Sequence, residues 1–182
     1  MAIVDTRSGK VEGLEHHGIC EFRGIPYAAP PVGPLRWLAP RREAAWDGVR
    51  DATKFSAICA QGDFAMETLM GGTAPVKSED GLYLNVYTPG CDDARRPVMV
   101  WIHGGAFLFG HGSTPWYDGT RFAVNGDVVI VTINYRLAAF GYLHLADLFG
   151  PEFEGSGNAG VLDQAAALEW VRDCIANFGG DP

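Results

Sequence analysis

Apolar and polar residues alternate over short stretches at the start of the chain. Residues 2–4 and 19–22 show this alternation, and glycines separate the stretches at positions 9, 13 and 18. Alternation places successive side chains on opposite faces of a strand, and glycine allows the tight turns that join neighbouring strands. The pattern therefore predicts small β-hairpins within residues 1–25.

Three longer apolar runs, at residues 83–87, 98–102 and 127–133, do not alternate. Continuous runs rich in valine and isoleucine are typical of strands in a sheet that is covered on both faces. We therefore predict three buried strands, with residues 83–87 and 98–102 as neighbours in the sheet.

A helix is predicted near the end of the sequence. Its apolar residues recur at steps of three and four and form a single stripe: Val161, Ala165, Leu168, Val171, Ile175 and Phe178. Such a stripe is typical of a helix that buries one face. Gly179 and Gly180 follow the stripe and predict the end of the helix.

The composition is that of a globular protein. Hydrophobic residues make up 47% of the 182 positions and charged residues 20%, which excludes a disordered or fibrous chain. The net charge of −8 disfavours nucleic acid and anionic membranes as partners, because both require clustered lysine and arginine. The sequence has no apolar run of about 18–20 residues and no leader-like start, so we expect a soluble, cytoplasmic protein.

Four cysteines, Cys20, Cys59, Cys91 and Cys174, are spread along the chain. They have neither the paired spacing of a zinc site nor the density of a disulfide scaffold, so we expect free thiols and no metal site. Free thiols favour a reducing compartment.

The apolar run at residues 98–102 leads directly into His103, Gly104, Gly105 and Ala106. Small residues after a buried strand let backbone N–H groups approach a developing negative charge, as in the oxyanion hole of an acyl-transfer enzyme. An ordinary glycine turn after a buried strand is the alternative. The motif by itself leaves both interpretations open.

Further motifs lie along the chain in a fixed order. They are Glu-Phe-Arg-Gly-Ile-Pro-Tyr-Ala, Pro-Pro-Val-Gly, Leu-Arg-Trp, Ser-Glu-Asp-Gly-Leu-Tyr-Leu-Asn-Val, Asn-Tyr-Arg and Asp-Gln, at residues 21–28, 30–33, 35–37, 78–86, 134–136 and 163–164. Together with the His-Gly-Gly-Ala turn, they resemble the type-B carboxylesterase family over about residues 10–182. The resemblance implies an α/β-hydrolase fold, with the N-terminal part of a central, mostly parallel sheet and small N-terminal β-hairpins.

The resemblance also implies that residues 1–182 are the N-terminal portion of a single α/β-hydrolase domain. In this family the segment at residues 177–182 leads into a strand and a Gly-Glu-Ser-Ala-Gly nucleophile elbow, whose serine would fall about nine residues beyond Pro182. No Gly-x-Ser-x-Gly motif occurs within residues 1–182, and the acid and histidine of the triad follow the serine in this fold. We therefore expect the domain portion to end just before the elbow and to be inactive alone.

The resemblance assigns roles within the His-Gly-Gly-Ala turn. It implies that Gly105 and Ala106 donate N–H groups to the oxyanion, that Gly104 shapes the turn and that His103 supports the loop. A catalytic base at His103 is disfavoured, because the fold places that histidine near the far end of the enzyme. A metal ligand at His103 is also disfavoured, because no second ligand lies at suitable spacing.

Apolar residues are expected around the substrate. Phe107, Leu108 and Phe109 follow the turn directly, so we expect at least one of them to face the substrate; the alternative is that all three are core residues. A second loop carries Phe64 and Met66 and has no tryptophan of the kind that holds a quaternary ammonium. This lining suits neutral, apolar esters.

Two ion pairs are implied by the resemblance: Arg36 with Glu79, and Arg136 with Asp163. We interpret both as architectural pairs that fix the loops beneath the active site. The alternative is that these charges bind substrate.

The resemblance implies a serine carboxylesterase that hydrolyses neutral carboxylic esters through an acyl-enzyme, without a cofactor. Its expected partners are a small ester substrate and the remaining C-terminal part of the esterase, in the same chain or in a second one. The alternatives are a non-catalytic binding protein on the same fold, an inactive fragment, and a separate domain that binds small molecules at residues 107–109.

Overall fold

The computed structural model describes residues 1–63 and 75–182. The strands in these ranges are β1 (Ala2–Asp5), β2 (Lys10–His16), β3 (Ile19–Pro26), β4 (Val49–Asp51), β5 (Ile58–Cys59), β6 (Lys77–Ser78), β7 (Tyr83–Thr88), β8 (Val98–Ile102) and β9 (Val129–Ile133). The α helices are α1 (Thr120–Gly126), α2 (Ala138–Tyr142), α3 (Ala146–Phe149) and α4 (Ala159–Cys174). Short 3-10 helices lie at Gly33–Leu35, Pro115–Tyr117, Pro151–Phe153, Ser156–Asn158 and Ile175–Phe178.

Most of the strands form one mixed sheet in the order β1-β2-β3-β7-β9-β8, with β4 beside β2. β1, β2 and β3 pair antiparallel in sequence, which confirms the predicted N-terminal hairpins. β3, β7 and β9 continue the antiparallel pairing, whereas β8 and β9 run parallel. The parallel pair brings the carboxyl ends of β8 and β9 to one edge of the sheet, and the candidate site lies there.

The predicted adjacency of residues 83–87 and 98–102 is wrong. β9 lies between these two segments, antiparallel to β7 on one side and parallel to β8 on the other. Every residue of β9 is buried, whereas three of the five residues of β8 are exposed. All three runs are apolar, so their composition does not show which one occupies the middle of the sheet.

The predicted buried face of the last helix is wrong in its first half. Val161 and Leu168 are 47% and 46% exposed, and Ala165 is exposed as well. The face of α4 that packs against the sheet instead carries Asp163 and Trp170, both fully buried, together with Ala159, Gly160, Ala167, Val171 and Cys174. A stripe drawn from aliphatic residues alone omits these positions, since it passes over small residues, tryptophan and a buried carboxylate.

The main core lies between the sheet and the C-terminal helix. Phe22 of β3 contacts Phe178 edge to face, with ring centroids 4.9 Å apart, and Trp170 contacts Phe178 at 5.8 Å. A smaller cluster on the other face of the sheet includes Tyr87, Ile130 and Ala123 of α1. Burial on both faces holds β7 and β9 in place and therefore fixes the loops that follow them.

Residues 1–63 and 75–182 were searched for membrane-spanning helices and for clusters of metal ligands. No helix there is long and apolar enough to cross a membrane. No cluster of three potential metal ligands is found in the same ranges. All four cysteines are free thiols, as predicted.

Candidate active site

The loop after β8, which we call the His103–Gly110 loop, begins at a buried histidine. His103 is 2% exposed, and its ring stacks on the ring of Tyr135 with centroids 4.4 Å apart. The Tyr135 hydroxyl donates a hydrogen bond to the His103 carbonyl at 2.8 Å. Because β8 and β9 are parallel neighbours, Tyr135 follows β9 at the same edge of the sheet and fixes the start of the loop.

The middle of the loop has an unusual backbone. Gly105, Ala106 and Phe107 have φ angles of 123°, 53° and 63°, which are sterically costly for residues with a side chain. Helix α2 supports this conformation, since the Ala138 N–H donates to the Phe107 carbonyl at 2.7 Å. The Phe107 ring also packs on the ring of Tyr142, with centroids 4.9 Å apart.

This backbone leaves two adjacent donors available. The Gly105 carbonyl accepts hydrogen bonds from the N–H groups of Leu108 and Phe109, at 3.0 and 3.3 Å. By contrast, the N–H groups of Gly105 and Ala106 donate to no acceptor within residues 1–63 and 75–182. Successive N–H groups in left-handed conformations form concavities that bind anions, so the loop can stabilise a negatively charged oxygen.

His103 is electrostatically suited to a structural role. Its Nδ1 lies 2.9 Å from the Gly104 carbonyl, and its Nε2 is buried without a partner in the part of the chain described. Burial lowers the pKa of His103 to about 4, so the ring is neutral near pH 7. A ring with this pKa is a weak base, which disfavours base catalysis by His103; its role in loop support stays a prediction.

The His103 pKa predicts a pH-dependent loss of stability. Between pH 6.5 and about 4, the unfolded chain binds a proton that the folded chain excludes, so the free energy of unfolding falls as the pH falls. The full effect is about 3 kcal/mol, is absent above pH 7 and levels off below pH 4. Melting temperatures of the wild type and His103→Gln, measured from pH 4 to 8, should converge as the pH falls. Parallel curves would contradict this assignment.

The apolar residues after the turn are largely at the surface of this chain. Phe107 and Leu108 are each 54% exposed, and Phe109 is half-buried. Phe107 and Leu108 are therefore not core residues of this chain, and contact of residues 107–109 with substrate stays a prediction. Phe64 and Met66 lie outside the residues that the structure describes.

Both expected ion pairs are formed. Arg36 contacts Glu79 through two bonds of 2.5 and 2.8 Å at a half-exposed position. Arg136 contacts Asp163 at 2.8 and 2.7 Å, and these side chains are only 3% and 0% exposed. The backbone N–H of Arg136 also donates to Asp163 at 3.0 Å, which ties the segment after β9 to α4.

The two ion pairs meet at a small cavity rather than at the His103–Gly110 loop. Residues of both pairs line it: Pro31, Arg36, Trp37, Cys59, Ala60, Glu79, Arg136, Leu137 and Phe140. No residue of the loop is among them, and the one titratable side chain of the loop is the buried, neutral His103. The geometry therefore favours an architectural role for these charges.

Sequence reasoning missed one residue at the site. The side-chain amide of Gln61 forms hydrogen bonds with both the N–H and the carbonyl of Gly110, at the end of the His103–Gly110 loop. A single glutamine in an irregular segment carries no sequence signal, because its partner lies 49 positions away.

The chain belongs to the carboxylesterase family, whose family model matches residues 1–182. It is 50% identical over 180 residues to the para-nitrobenzyl esterase of Bacillus subtilis, covering 99% of this chain and 36% of that protein. It is 44% identical over 195 residues to the acylcarnitine hydrolase of Mus musculus, covering 99% of this chain and 33% of that protein.

Solved structures agree with this assignment. The crystal structure of a Geobacillus stearothermophilus carboxylesterase superposes with a TM-score of 0.92 at 53% identity, covering 100% of this chain and 36% of that one. The fold is therefore that of the α/β-hydrolase esterases. The chain spans about a third of the length of these relatives.

Proposed function

We propose that the whole protein hydrolyses neutral carboxylic esters through a serine acyl-enzyme, and that this chain supplies the oxyanion-binding loop. The observation that carries the proposal is the pair of adjacent N–H groups at Gly105 and Ala106. They lie in a left-handed backbone segment and have no acceptor in the described part of the chain. One such donor contributes a factor of about 10²–10³ to the rate of acyl transfer.

In the proposed reaction, a serine hydroxyl attacks the ester carbonyl while a histidine takes its proton. The carbonyl oxygen becomes negatively charged in the tetrahedral intermediate, and the N–H groups of Gly105 and Ala106 donate to it. Collapse of the intermediate expels the alcohol and leaves an acyl-enzyme. Water then attacks the acyl-enzyme by the same steps, and no cofactor is required.

The contacts at residues 179–181 support a position for the serine next to this loop. Arg96 and Gly180 form an isolated parallel β-bridge. The Arg96 N–H donates to the Gly179 carbonyl, and the Asp181 N–H donates to the Arg96 carbonyl, both at 2.8 Å. The neighbouring Pro97 carbonyl accepts from β9 on the opposite side. A chain that continues from Asp181 in this direction would pair in parallel with the free edge of β8. Its carboxyl end would then lie beside the His103–Gly110 loop, where the family's nucleophile elbow is expected.

We place the serine, acid and histidine in the remainder of one continuous protein. A second polypeptide as their source finds no support in the comparisons. The free thiols of this chain suit a reducing compartment, so the cytoplasm is the proposed location.

The proposed substrates are neutral esters. The exposed residues after the turn, Phe107 and Leu108, are apolar, and the loop offers no charged side chain to a charged acyl group or alcohol. The name of one relative, a para-nitrobenzyl esterase, describes a neutral ester substrate. Apolar walls favour substrates by burial of surface rather than by ion pairing.

The test is hydrolysis of p-nitrophenyl butyrate by the full-length protein, with butyrylcholine as the charged comparison. We expect turnover of the neutral ester, a lower kcat/KM for the choline ester and complete inhibition by a serine-directed organophosphate. Residues 1–182 expressed alone should show no turnover. Ligand binding without hydrolysis by the full-length protein would instead favour a non-catalytic binding protein.

A further inference from the structure

The side chain of Gln61 contacts the far end of the His103–Gly110 loop. The Gly110 N–H donates to Gln61 Oε1 at 2.7 Å, and Gln61 Nε2 donates to the Gly110 carbonyl at 3.0 Å. The same Nε2 donates to the Cys59 carbonyl at 3.1 Å. The Gln61 amide therefore provides hydrogen-bond partners for the N–H and the carbonyl of Gly110 and joins the loop to the strand β5.

The segment that carries Gln61 is closely packed at Cys59. Cys59, the last residue of β5, is buried, and its backbone lies directly against Gly81. A Cβ at Gly81 would lie 2.7 Å from the Cys59 backbone, so the two segments are in close contact. Gln61 is two residues beyond this closely packed position.

Gly110 is also packed against the start of its own loop. A Cβ at Gly110 would lie 2.5 Å from both the Gly104 carbonyl oxygen and His103 Nδ1. Its φ of 113° is one that a side chain disfavours. A displacement of Gly110 would therefore be transmitted to His103 and Gly104, immediately before the two available donors.

We propose that Gln61 is a positioning residue for ester hydrolysis: its amide holds Gly110 so that the N–H groups of Gly105 and Ala106 stay directed at the oxyanion. The inference rests on the proposed function. An amide is the side-chain group that offers a donor and an acceptor in one plane, matching the N–H and carbonyl of a peptide unit. Leucine has a similar size and neither group, and an ionised glutamate retains only the acceptor.

Preorganised donors raise kcat more than substrate affinity, because they bind the charge that develops in the transition state. In the full-length protein, Gln61→Leu should therefore lower kcat for p-nitrophenyl butyrate by about 10- to 100-fold, less than the effect of removing a donor outright. KM should change by less than about threefold. The control is Gln164→Leu, a change of the chain's other glutamine, on α4. It should leave both constants unchanged.

Gln61→Glu provides a pH-dependent test. A protonated glutamate can donate to the Gly110 carbonyl and accept from its N–H, whereas the ionised form repels that carbonyl. The ratio of kcat for Gln61→Glu to that of the wild type should therefore rise as the pH falls from 8 to 5. If Gln61 served stability alone, lowering the pH would not raise the kcat of Gln61→Glu relative to the wild type. The kcat is expressed per active site, and active sites are counted by organophosphate titration.

Hydrogen exchange of the intact protein supplies a measurement that needs no activity. Gln61→Leu should accelerate exchange of the peptide that covers residues 103–110, and Gln164→Leu should not. Unchanged exchange in Gln61→Leu would overturn the positioning role of Gln61. If the wild type hydrolyses the ester, an equal kcat per active site in Gln61→Leu would overturn it as well. A wild type that hydrolyses no ester would refute the proposed function, while accelerated exchange would still support the anchoring of Gly110.

Discussion

Gly105→Ala is expected to lower kcat of the full-length protein for p-nitrophenyl butyrate by at least about 10²–10³-fold, the effect of losing one oxyanion donor. A Cβ on residue 105 would overlap the carbonyl oxygen of Phe109. The φ of 123° is also one that alanine rarely adopts. The loop would have to rearrange, and the N–H groups of Gly105 and Ala106 would change position.

Two other glycines make this result specific. Among residues 1–63 and 75–182, a Cβ on Gly104 or Gly62 would meet no atom within 4 Å, and neither glycine has a positive φ. Gly104→Ala should therefore lower kcat much less than Gly105→Ala, and Gly62→Ala is the control outside the loop. Kinetics and melting temperature should be measured for all three variants. Equal kcat for Gly105→Ala and the wild type would contradict a role of Gly105 in binding the oxyanion.

Asp163→Ala is expected to give the largest loss of stability among single changes at the ion pairs. It would leave the Arg136 guanidinium, 3% exposed, without its bidentate partner. Breaking a buried pair from one side costs about 3–5 kcal/mol, because an uncompensated charge remains in the interior. Thermal or urea unfolding of the full-length protein measures the loss.

The half-exposed pair provides the matched comparison. Glu79→Ala removes the partner of Arg36, but solvent can hydrate the guanidinium that remains. Its melting temperature should stay near that of the wild type while Asp163→Ala shifts it strongly. Similar shifts for both variants would show that burial does not distinguish the two pairs.

Much of the fold could be predicted from local sequence patterns. Alternation and glycine spacing predicted the hairpins of β1, β2 and β3, and continuous apolar runs predicted β7, β8 and β9. The order of those three strands could not be predicted, because it depends on which run buries both faces. The buried face of α4 also depended on tertiary contacts, since the buried Asp163 is paired with Arg136 from the segment after β9.

The candidate site shows the same division. The His-Gly-Gly-Ala turn is continuous in sequence, and its resemblance to a family loop was sufficient to predict Gly105 and Ala106 as the oxyanion donors. The supports of the loop come from distant segments: Tyr135 beneath His103, Ala138 at Phe107, and Gln61 at Gly110. Each uses an ordinary residue whose role is visible only after the chain has folded.

The most direct test of the account is to label the full-length protein with a serine-directed organophosphate and to locate the modified residue by mass spectrometry. The account predicts one labelled serine within about ten residues beyond Pro182, at the nucleophile elbow. Loss of p-nitrophenyl butyrate hydrolysis should follow the extent of labelling. A label elsewhere, or hydrolysis that continues in fully labelled protein, would contradict the proposed site.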